Sequence, residues 1–323
     1  MSAAPPLVPF PLMFVVSFMA FCIGPAWAQD YPHKPVRIVT SAPGGGTDFT
    51  ARLIASGLSE RLRQPVIVEN RSGAVMSGQT VARAIPDGYT LLLPGSSFWL
   101  GPLLQKMPYD PVKEFAPITI THSQPVVLVV HPSLPVKSVK DLIEYAKARP
   151  GELNYGSTAV GSSGHLAAAL FSSMAGIEMV HVPFKGGGGL ANAMLGGQVQ
   201  LTLATSASVV PHVKSGRLRG LGVASAQPTR LVPGLPTIAA SGVPGFEASQ
   251  RAGMFAPAGT PAAIINRLNR EVVQFLNRAD VKEKFFDAGI ESVGSSPQEL
   301  AAGMKSEMVR MGKVIKDAGI RTE

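Results

Sequence analysis

The sequence predicts an α/β fold made of two doubly wound α/β domains with a ligand cleft between them. Short β-branched runs alternate with helix-periodic segments, which is typical of parallel sheets covered by helices. Three loops that join a strand to a helix are rich in glycine. Ligands in such folds bind beyond the carboxyl ends of the strands, so we expect the three loops to face one cleft.

The composition indicates a compact globular protein and excludes several classes of function. Of the 323 residues, 46% are hydrophobic and only 15% are charged, which argues against disorder. The formal charge of +8 comes from scattered Lys and Arg residues, so no strip of charge suits a nucleic acid. None of the six His residues has a second ligand at helical spacing, and we predict neither a metal nor a cofactor.

The N-terminus predicts an exported protein. Residues Leu7–Ile23 are apolar and uncharged and precede the small-x-small sequence Ala26-Trp27-Ala28, so we assign residues 1–28 to a signal peptide. The stretch before Leu7 has no Lys or Arg, which departs from the usual basic start of such peptides. Cys22 is the only cysteine and would leave with the peptide. We expect a soluble, monomeric mature chain of about 295 residues, long enough for two domains.

In the first half of the chain, two units of strand and helix are predicted in succession. Val36–Ser41 is predicted as a buried strand, and the apolar residues of Asp48–Leu62 recur at helical spacing up to Pro65. The second unit and the strand after it comprise Val66–Val68, a helix over Ser77–Ala84, the turn Asp87-Gly88 and the run Tyr89–Leu93.

The second half of the chain continues the alternation. Val126–Val130 is a strongly apolar strand, and the helix Ser138–Lys147 starts with a serine suited to an N-cap. Three short strands follow, and the first two lead into the glycine-rich loops that begin at Gly156 and Pro183. The strands are Leu153–Tyr155, His181–Val182 and Leu201–Leu203.

Two apolar runs are proposed as the crossings between the domains. Val126–Val130 and Gly253–Ala256 each join blocks of strand and helix units and lie near prolines and glycines. On this basis, domain one combines residues 29–130 with residues 251–323, and domain two comprises residues 131–250.

The segment Ser41–Leu53 gives the clearest indication of a binding site. A strand that ends in a glycine loop and opens a helix presents backbone N–H groups that can hold an anion. No Lys-Ser or Lys-Thr pair follows the glycines, and the GxGxxG spacing is absent, which argues against a nucleotide. The ligand-binding candidates here are Gly45, Gly46 and Thr47, with Asp48 positioning the loop.

Further candidates lie at the ends of other strands. The second loop offers hydroxyl and amide groups at a helix start, the third offers glycine amides, and two more strands end in hydroxyl pairs. These candidates are Ser157, Thr158, Ser162, Ser163, Gly164, Gly186, Gly187, Ser96, Ser97, Thr205 and Ser206. For any one loop, a tight turn without a ligand explains the glycines equally well.

Several motifs in order resemble the substrate-binding receptors of tripartite tricarboxylate transporters, the Bug family. The resemblance extends from about Tyr31 to the C-terminus and rests on YPHKPVRIVTSAPGGGTDFTAR, VIVENRSGA, IPDGYTLLL, NYGSTAVGSSGH, VPFKGGG, SGRLRGLGVAS and MFAPAGTP. It implies a type II periplasmic-binding-protein fold whose two domains close on a small organic carboxylate in the periplasm. It also implies delivery to a separate membrane permease, and ordered waters in the first loop that bridge to the ligand.

One position departs from the family pattern. Where Bug-type receptors usually carry a Trp-Tyr pair before MFAPAGTP, this chain has Arg251-Ala252. We hypothesise that Arg251 makes a bidentate contact with a second acidic group of the ligand, as guanidinium geometry allows. A solvent-facing arginine at the domain edge is the alternative.

Two other functions were weighed against solute binding. The first is a secreted hydrolase that acts on a small carboxylic ester or amide, but Gly161-Ser162-Ser163-Gly164 lacks the glycine spacing of a G-x-S-x-G elbow. The second is the effector-binding half of a transcription regulator, against which the export signal and the missing DNA-binding helices count. The sequence therefore predicts an exported binding protein rather than an enzyme.

Overall fold

The computed structural model describes Met1 and residues 31–41, 43, 46–71 and 73–317. Apart from Met1, the proposed signal peptide lies outside the described residues. The strands are β1 (Val36–Thr40), β2 (Val66–Asn70), β3 (Thr90–Leu93), β4 (Phe115–Val130), β5 (Asn154–Ser157), β6 (Val180–Pro183), β7 (Leu201–Thr205), β8 (Arg219–Val223), β9 (Ser249–Pro257) and β10 (Glu291–Ser292).

Helices follow most of these strands. They are α1 (Gly46–Leu62), α2 (Gly73–Ala82), α3 (Ser97–Leu100), α4 (Val139–Lys147), α5 (Ser163–Ala175), α6 (Gly186–Leu195), α7 (Ser206–Lys214), α8 (Ala262–Leu276), α9 (Ala279–Asp287) and α10 (Pro297–Asp317). No helix among the described residues is both long and apolar enough to cross a membrane.

The strands form two groups that share one long strand. In the first strand group, β1 lies between β2 and β3 in parallel register, and β9 runs antiparallel to β3 and β4. In the second strand group, β5 lies between β6 and β7 in parallel register, and β4 runs antiparallel to β7 and β8. Strand β10 pairs with β4 beside the first group.

The long strand β4 belongs to both groups because its two parts pair differently. Residues Phe115–Pro125 pair with β9, whereas Val126–Val130 pairs with β7. The side chains of Val126–Val130 are fully buried, so the strand passes through the protein interior where it changes partners. The strand predicted at Val126–Val130 is thus the last part of a longer one.

Hydrophobic cores cover both faces of the sheet. Helix α8 shows how sequence pattern leads to packing, since its buried residues Ile264, Leu268, Val272 and Phe275 recur at helical spacing. The Phe275 ring lies so close to Gly57 of α1 that a Cβ atom there would be 2.1 Å from it. The glycine therefore allows α1 and α8 to pack closely in the core beneath the first strand group.

The strands that run parallel to one another are those that alternate with helices along the sequence. The expectation of parallel sheets is confirmed for β1 to β3 and for β5 to β7, and is wrong for β4, β8, β9 and β10, which run antiparallel to neighbours. An apolar run such as Val126–Val130 predicts a buried strand but carries no information about its direction. The first two helices also begin earlier than predicted, at Gly46 and Gly73.

The close approach of α5 to β7 leads to the first testable prediction. A Cβ atom at Gly164 would lie 2.4 Å from the backbone oxygen of Leu203, and backbone atoms cannot rotate away. We expect Gly164→Ala to lower the free energy of unfolding by about 1 to 3 kcal/mol through overpacking. Chemical denaturation measures this difference.

Gly188→Ala is the matched control, because that glycine is also helical and a Cβ atom there would meet nothing within 4 Å. Alanine favours the helix by up to about 1 kcal/mol relative to glycine, so this variant is neutral or more stable. Equal losses in the two variants would contradict the packing explanation.

Candidate functional site

A small polar cavity lies where the first strand group meets the start of α1. Its volume is about 80 Å³, and the described residues that line it are Ser41, Thr47, Ser77, Pro94, Gly95, Ser97 and Gln250. Four hydroxyl groups and one amide face the cavity, and no charged side chain is among these residues. Neutral donors at a helix N-terminus suit the oxygen atoms of an anion.

The parallel pairing of β1 with β3 builds this cavity. Both strands end at the same edge of the sheet, and the Thr40 hydroxyl donates a hydrogen bond of 2.7 Å to the Leu93 carbonyl oxygen at that edge. The Ser41 and Thr47 hydroxyls are 2.5 Å apart and connect the end of β1 to the first turn of α1. Of the predicted residues, Thr47 and Ser97 are thus brought together, and Gly45 lies outside the described residues.

Asp48 faces polar partners beside the cavity. Its Oδ1 atom accepts a hydrogen bond of 2.7 Å from Asn70 Nδ2, and its Oδ2 atom accepts one of 3.1 Å from Arg52 Nε. Asn70 Nδ2 also donates to the Ser41 carbonyl oxygen at 2.8 Å. These contacts connect the first turn of α1 to the ends of β1 and β2, which fits the positioning role expected for Asp48.

A second, smaller cavity is lined by residues from the segment after β3 and from the second loop. Ser96 and Ser163 both line it, with Ser249, Glu307 and Arg310 among the other polar residues. Its volume of about 20 Å³ accommodates roughly one water molecule. Ser96 and Ser163 thus line the same space, which is too small for an organic ligand.

Hydrogen bonds within the second loop occupy two of its predicted residues. The Ser157 hydroxyl is buried, donates to the Ala159 carbonyl oxygen at 2.9 Å and lies 2.7 Å from His181 Nε2. Ser162 caps α5, its hydroxyl accepting a bond of 3.3 Å from the His165 N–H group. These hydroxyls fix the shape of the loop.

Three stacked rings, those of Tyr155, His165 and His181, lie at the second loop. The rings of His165 and His181 are 4.0 Å apart between centroids, and Tyr155 stacks against both. Burial, together with the nearby His181, lowers the pKa of His165 to about 4. The imidazole is therefore neutral at neutral pH, and its Nδ1 atom accepts a hydrogen bond of 3.0 Å from the Gly161 N–H group.

The remaining candidates are not among the described residues that line either cavity. Gly186 and Gly187 open α6 at an exposed position, and the Gly186 N–H group donates to the Thr158 carbonyl oxygen at 3.1 Å. Thr205 precedes α7, with its hydroxyl 3.1 Å from Ser208 Oγ. Ser206 is buried and donates a bond of 2.6 Å to the Gly289 carbonyl oxygen. Gly164 packs against Leu203, as described above.

Arg251 extends toward α10. A Cβ atom at Gly303 would lie 3.8 Å from Arg251 Nη1, and Arg251 is not among the described residues that line either cavity. The buried Glu307 on the same helix accepts a hydrogen bond of 3.1 Å from Trp99 Nε1. Burial raises the pKa of the Glu307 carboxyl, and the Trp99 hydrogen bond and the charges of Arg251 and Arg310 oppose this rise.

Sequence reasoning missed several residues of the site. Ser41, Ser77 and Gln250 line the larger cavity, and the side chain of Gln124 lies against Gly46. The two glutamines are opposite each other on β4 and β9. The signal available in the sequence was Gln124, a polar residue two positions before the apolar run Val126–Val130. Among the described residues, no group of three or more His, Cys, Asp or Glu residues is placed to hold a metal ion.

Comparisons with known proteins identify the family of this chain. The family model described as the tripartite tricarboxylate transporter family receptor matches residues 50–320. Protein BugT of Bordetella pertussis is 36% identical over 303 residues, which cover 92% of this chain and 93% of BugT.

Two solved structures share the fold and have a named ligand. The structure of R. palustris Rpa4515 with adipate is 39% identical, has a TM-score of 0.85 and aligns over 90% of this chain and 99% of Rpa4515. MatC (Rpa3494) from Rhodopseudomonas palustris with bound malate is 30% identical, has a TM-score of 0.80 and aligns over 88% of this chain and 100% of MatC.

The fold and these comparisons define a solute-binding protein of the two-domain periplasmic type, which binds its ligand without altering it. More particularly, the chain belongs to the tripartite tricarboxylate transporter receptor family, whose members include the Bug proteins. The fold class and the family resemblance inferred from the sequence are thereby confirmed.

The buried carboxyl of Glu307 leads to a prediction about pH. Because burial raises the pKa of this carboxyl in the folded state, its ionisation opposes folding as the pH rises above its ordinary pKa of 4.5. We expect the stability of Glu307→Gln, relative to the parent protein, to increase as the pH rises from 4 to 8. The amide keeps an acceptor for Trp99 Nε1. Urea denaturation at several pH values measures this difference.

Glu299→Gln on the same helix provides a control of opposite sign. Glu299 accepts hydrogen bonds from the Ser296 N–H group and hydroxyl, the first of which is the main cause that lowers its pKa. Its ionised form favours folding above its ordinary pKa, so the relative stability of this variant falls as the pH rises. Parallel trends in the two variants would refute the assignment of a raised pKa to Glu307.

Proposed function

We propose that this protein captures a small organic carboxylate in the periplasm and delivers it to the membrane permease of a tripartite tricarboxylate transporter. The observation that carries the proposal is the cavity at the start of α1, which is lined by hydroxyl and amide groups and has no charged side chain among its described residues. The bound adipate of Rpa4515 and malate of MatC support a carboxylate as the ligand class.

The chemistry of the cavity explains the preference for an anion. A carboxylate that leaves water without new partners costs far more than binding can return, so the site must supply donors. The first turn of α1 presents N–H groups and the positive end of the helix dipole. The hydroxyls of Thr47 and Ser97 lie beside it. Backbone amides and hydroxyls can hold a carboxylate directly or through ordered water.

Closure of two domains on the ligand is part of the proposal. We assign residues 29–130 and 251–323 to domain one and residues 131–250 to domain two. The parallel strands β1 to β3 come from the former and the parallel strands β5 to β7 from the latter, which supports this division. Export through the signal peptide at residues 1–28, and action as a monomer, complete the proposed function. A secreted hydrolase has no support, since the family is one of receptors.

Carboxylate binding at the polar cavity is tested by calorimetry and thermal unfolding. We expect the parent protein, from residue 29 onward, to bind adipate or malate and to unfold at a higher temperature in its presence, because a ligand of the native state stabilises it. We expect Thr47→Val to weaken binding by roughly 5- to 50-fold, since it removes one hydroxyl and keeps the shape of the side chain.

Thr80→Val is the control for this variant, because it makes the same change at a half-buried position of α2, where the hydroxyl donates to the Met76 carbonyl oxygen of its own helix. Its affinity should match that of the parent. The proposed site is wrong if Thr47→Val and Thr80→Val bind the same acid equally well. The proposed ligand class is wrong if the parent protein binds no carboxylate of a broad panel.

A further inference from the structure

A buried amide group on the long strand β4 has no partner and faces the start of α1. The side chain of Gln124 is 2% exposed, and its Nε2 atom makes no hydrogen bond among the residues that the structure describes. A buried donor without a partner destabilises the folded state, so native structures rarely retain one without a reason.

The position of this amide connects it with the N-terminus of α1. A Cβ atom at Gly46 would lie 2.0 Å from Gln124 Nε2, so the amide nitrogen occupies the space that a side chain at Gly46 would need. The first turn of a helix presents N–H groups without intrahelical partners. Donors of the helix and of the glutamine therefore lie side by side, an arrangement that calls for an acceptor with negative charge.

A second glutamine extends this arrangement to the polar cavity. Gln250 on β9 is opposite Gln124 in the antiparallel register, which places the two side chains on the same face of the sheet. Its own amide reaches Gly95, where a Cβ atom would lie 3.0 Å from Gln250 Nε2, and it lines the cavity together with Thr47. The two amides thus flank the first turn of α1.

A second polar side chain on this face of β4, that of His122, also contacts α1. His122, two residues before Gln124, lies on the same face and has its Nδ1 atom 2.9 Å from Thr50 Oγ1 on α1. Burial lowers the pKa of His122 to about 3, so it adds no positive charge. Among the described residues, His122 Nε2 and Gln124 Nε2 are the buried side-chain atoms without a hydrogen-bond partner, and of the two it is Gln124 Nε2 that lies against Gly46 at the start of α1.

We propose that Gln124 and Gln250 are ligand-binding residues, and that Gln124 Nε2 donates a hydrogen bond to a carboxylate oxygen held at the N-terminus of α1. This assignment rests on the proposed function and identifies which side chains recognise the acid group. The donors proposed here are neutral amides rather than a cation, so recognition of the carboxylate depends on the direction of their N–H bonds. Gln124 lies two residues before the proposed crossing Val126–Val130, and Gln250 lies three residues before the proposed crossing Gly253–Ala256.

The substitution Gln124→Glu tests the assignment, because it keeps the shape and replaces the donor by an acceptor that repels a carboxylate. We expect the Kd for adipate or malate, whichever the parent protein binds, to rise by about 100-fold or more. Gln198→Glu introduces the same charge at an exposed position and should change the Kd by less than about twofold. Thermal unfolding without ligand shows whether each variant is folded.

Two further variants keep the test independent of the folding of Gln124→Glu. Gln124→Met is neutral, similar in length and lacks a donor, and we expect a loss of roughly 10- to 100-fold. Gln250→Glu places the repelling group at a half-buried position, where a charge is tolerated more readily, and should weaken binding at least about 10-fold.

The outcomes separate this assignment from the function on which it rests. If the parent protein binds neither acid, the proposed carboxylate function fails, and the assignment fails with it. If the parent protein binds and the folded variants at positions 124 and 250 bind equally well, the assignment alone is overturned. Loss of binding in these variants, with the affinity of Gln198→Glu unchanged, supports it.

Discussion

The pairing of β4 with strands of both groups is the constraint on which the rest of the structure depends. Because Phe115–Pro125 pairs with β9 and Val126–Val130 pairs with β7, one continuous strand fixes the register of both groups. The fully buried valines at the change of partner stabilise this passage through hydrophobic burial. Gln124, immediately before Pro125 and this apolar run, is the point at which the supporting strand faces the start of α1.

The candidate site uses the polar groups of the fold itself. The parallel ends of β1 and β3 and the first turn of α1 supply hydroxyls and amides, and contacts of Asp48 with Asn70 and Arg52 hold that turn in place. A site of neutral donors avoids the desolvation of a buried cation and still compensates the desolvation of an anion. The loop after β5 is kept in shape by stacked, uncharged histidine rings.

The sequence predicted the features that depend on local pattern. The strand β1 and the helix after the glycine loop follow from β-branched residues, glycine and helical spacing, and the candidate residue Thr47, which lines the larger cavity, follows from its place in that unit. Contacts between distant segments were not predictable in this way. No local pattern shows that Gly164 is required by the Leu203 carbonyl oxygen, or that Gln124 and Gln250 become neighbours. The C-terminal helix α10, which brings Glu307 to Trp99, was likewise missed.

A crystal structure of the protein with a bound dicarboxylate tests the central claim most directly. The account predicts a carboxylate group at the N-terminus of α1, within about 3 Å of its first N–H groups, directly or through one water, and within the same distance of Gln124 Nε2. The hydroxyls of Thr47 and Ser97 would lie in the surrounding shell. A dicarboxylate bound elsewhere, with the Gln124 amide still unpartnered beside Gly46, would contradict the account.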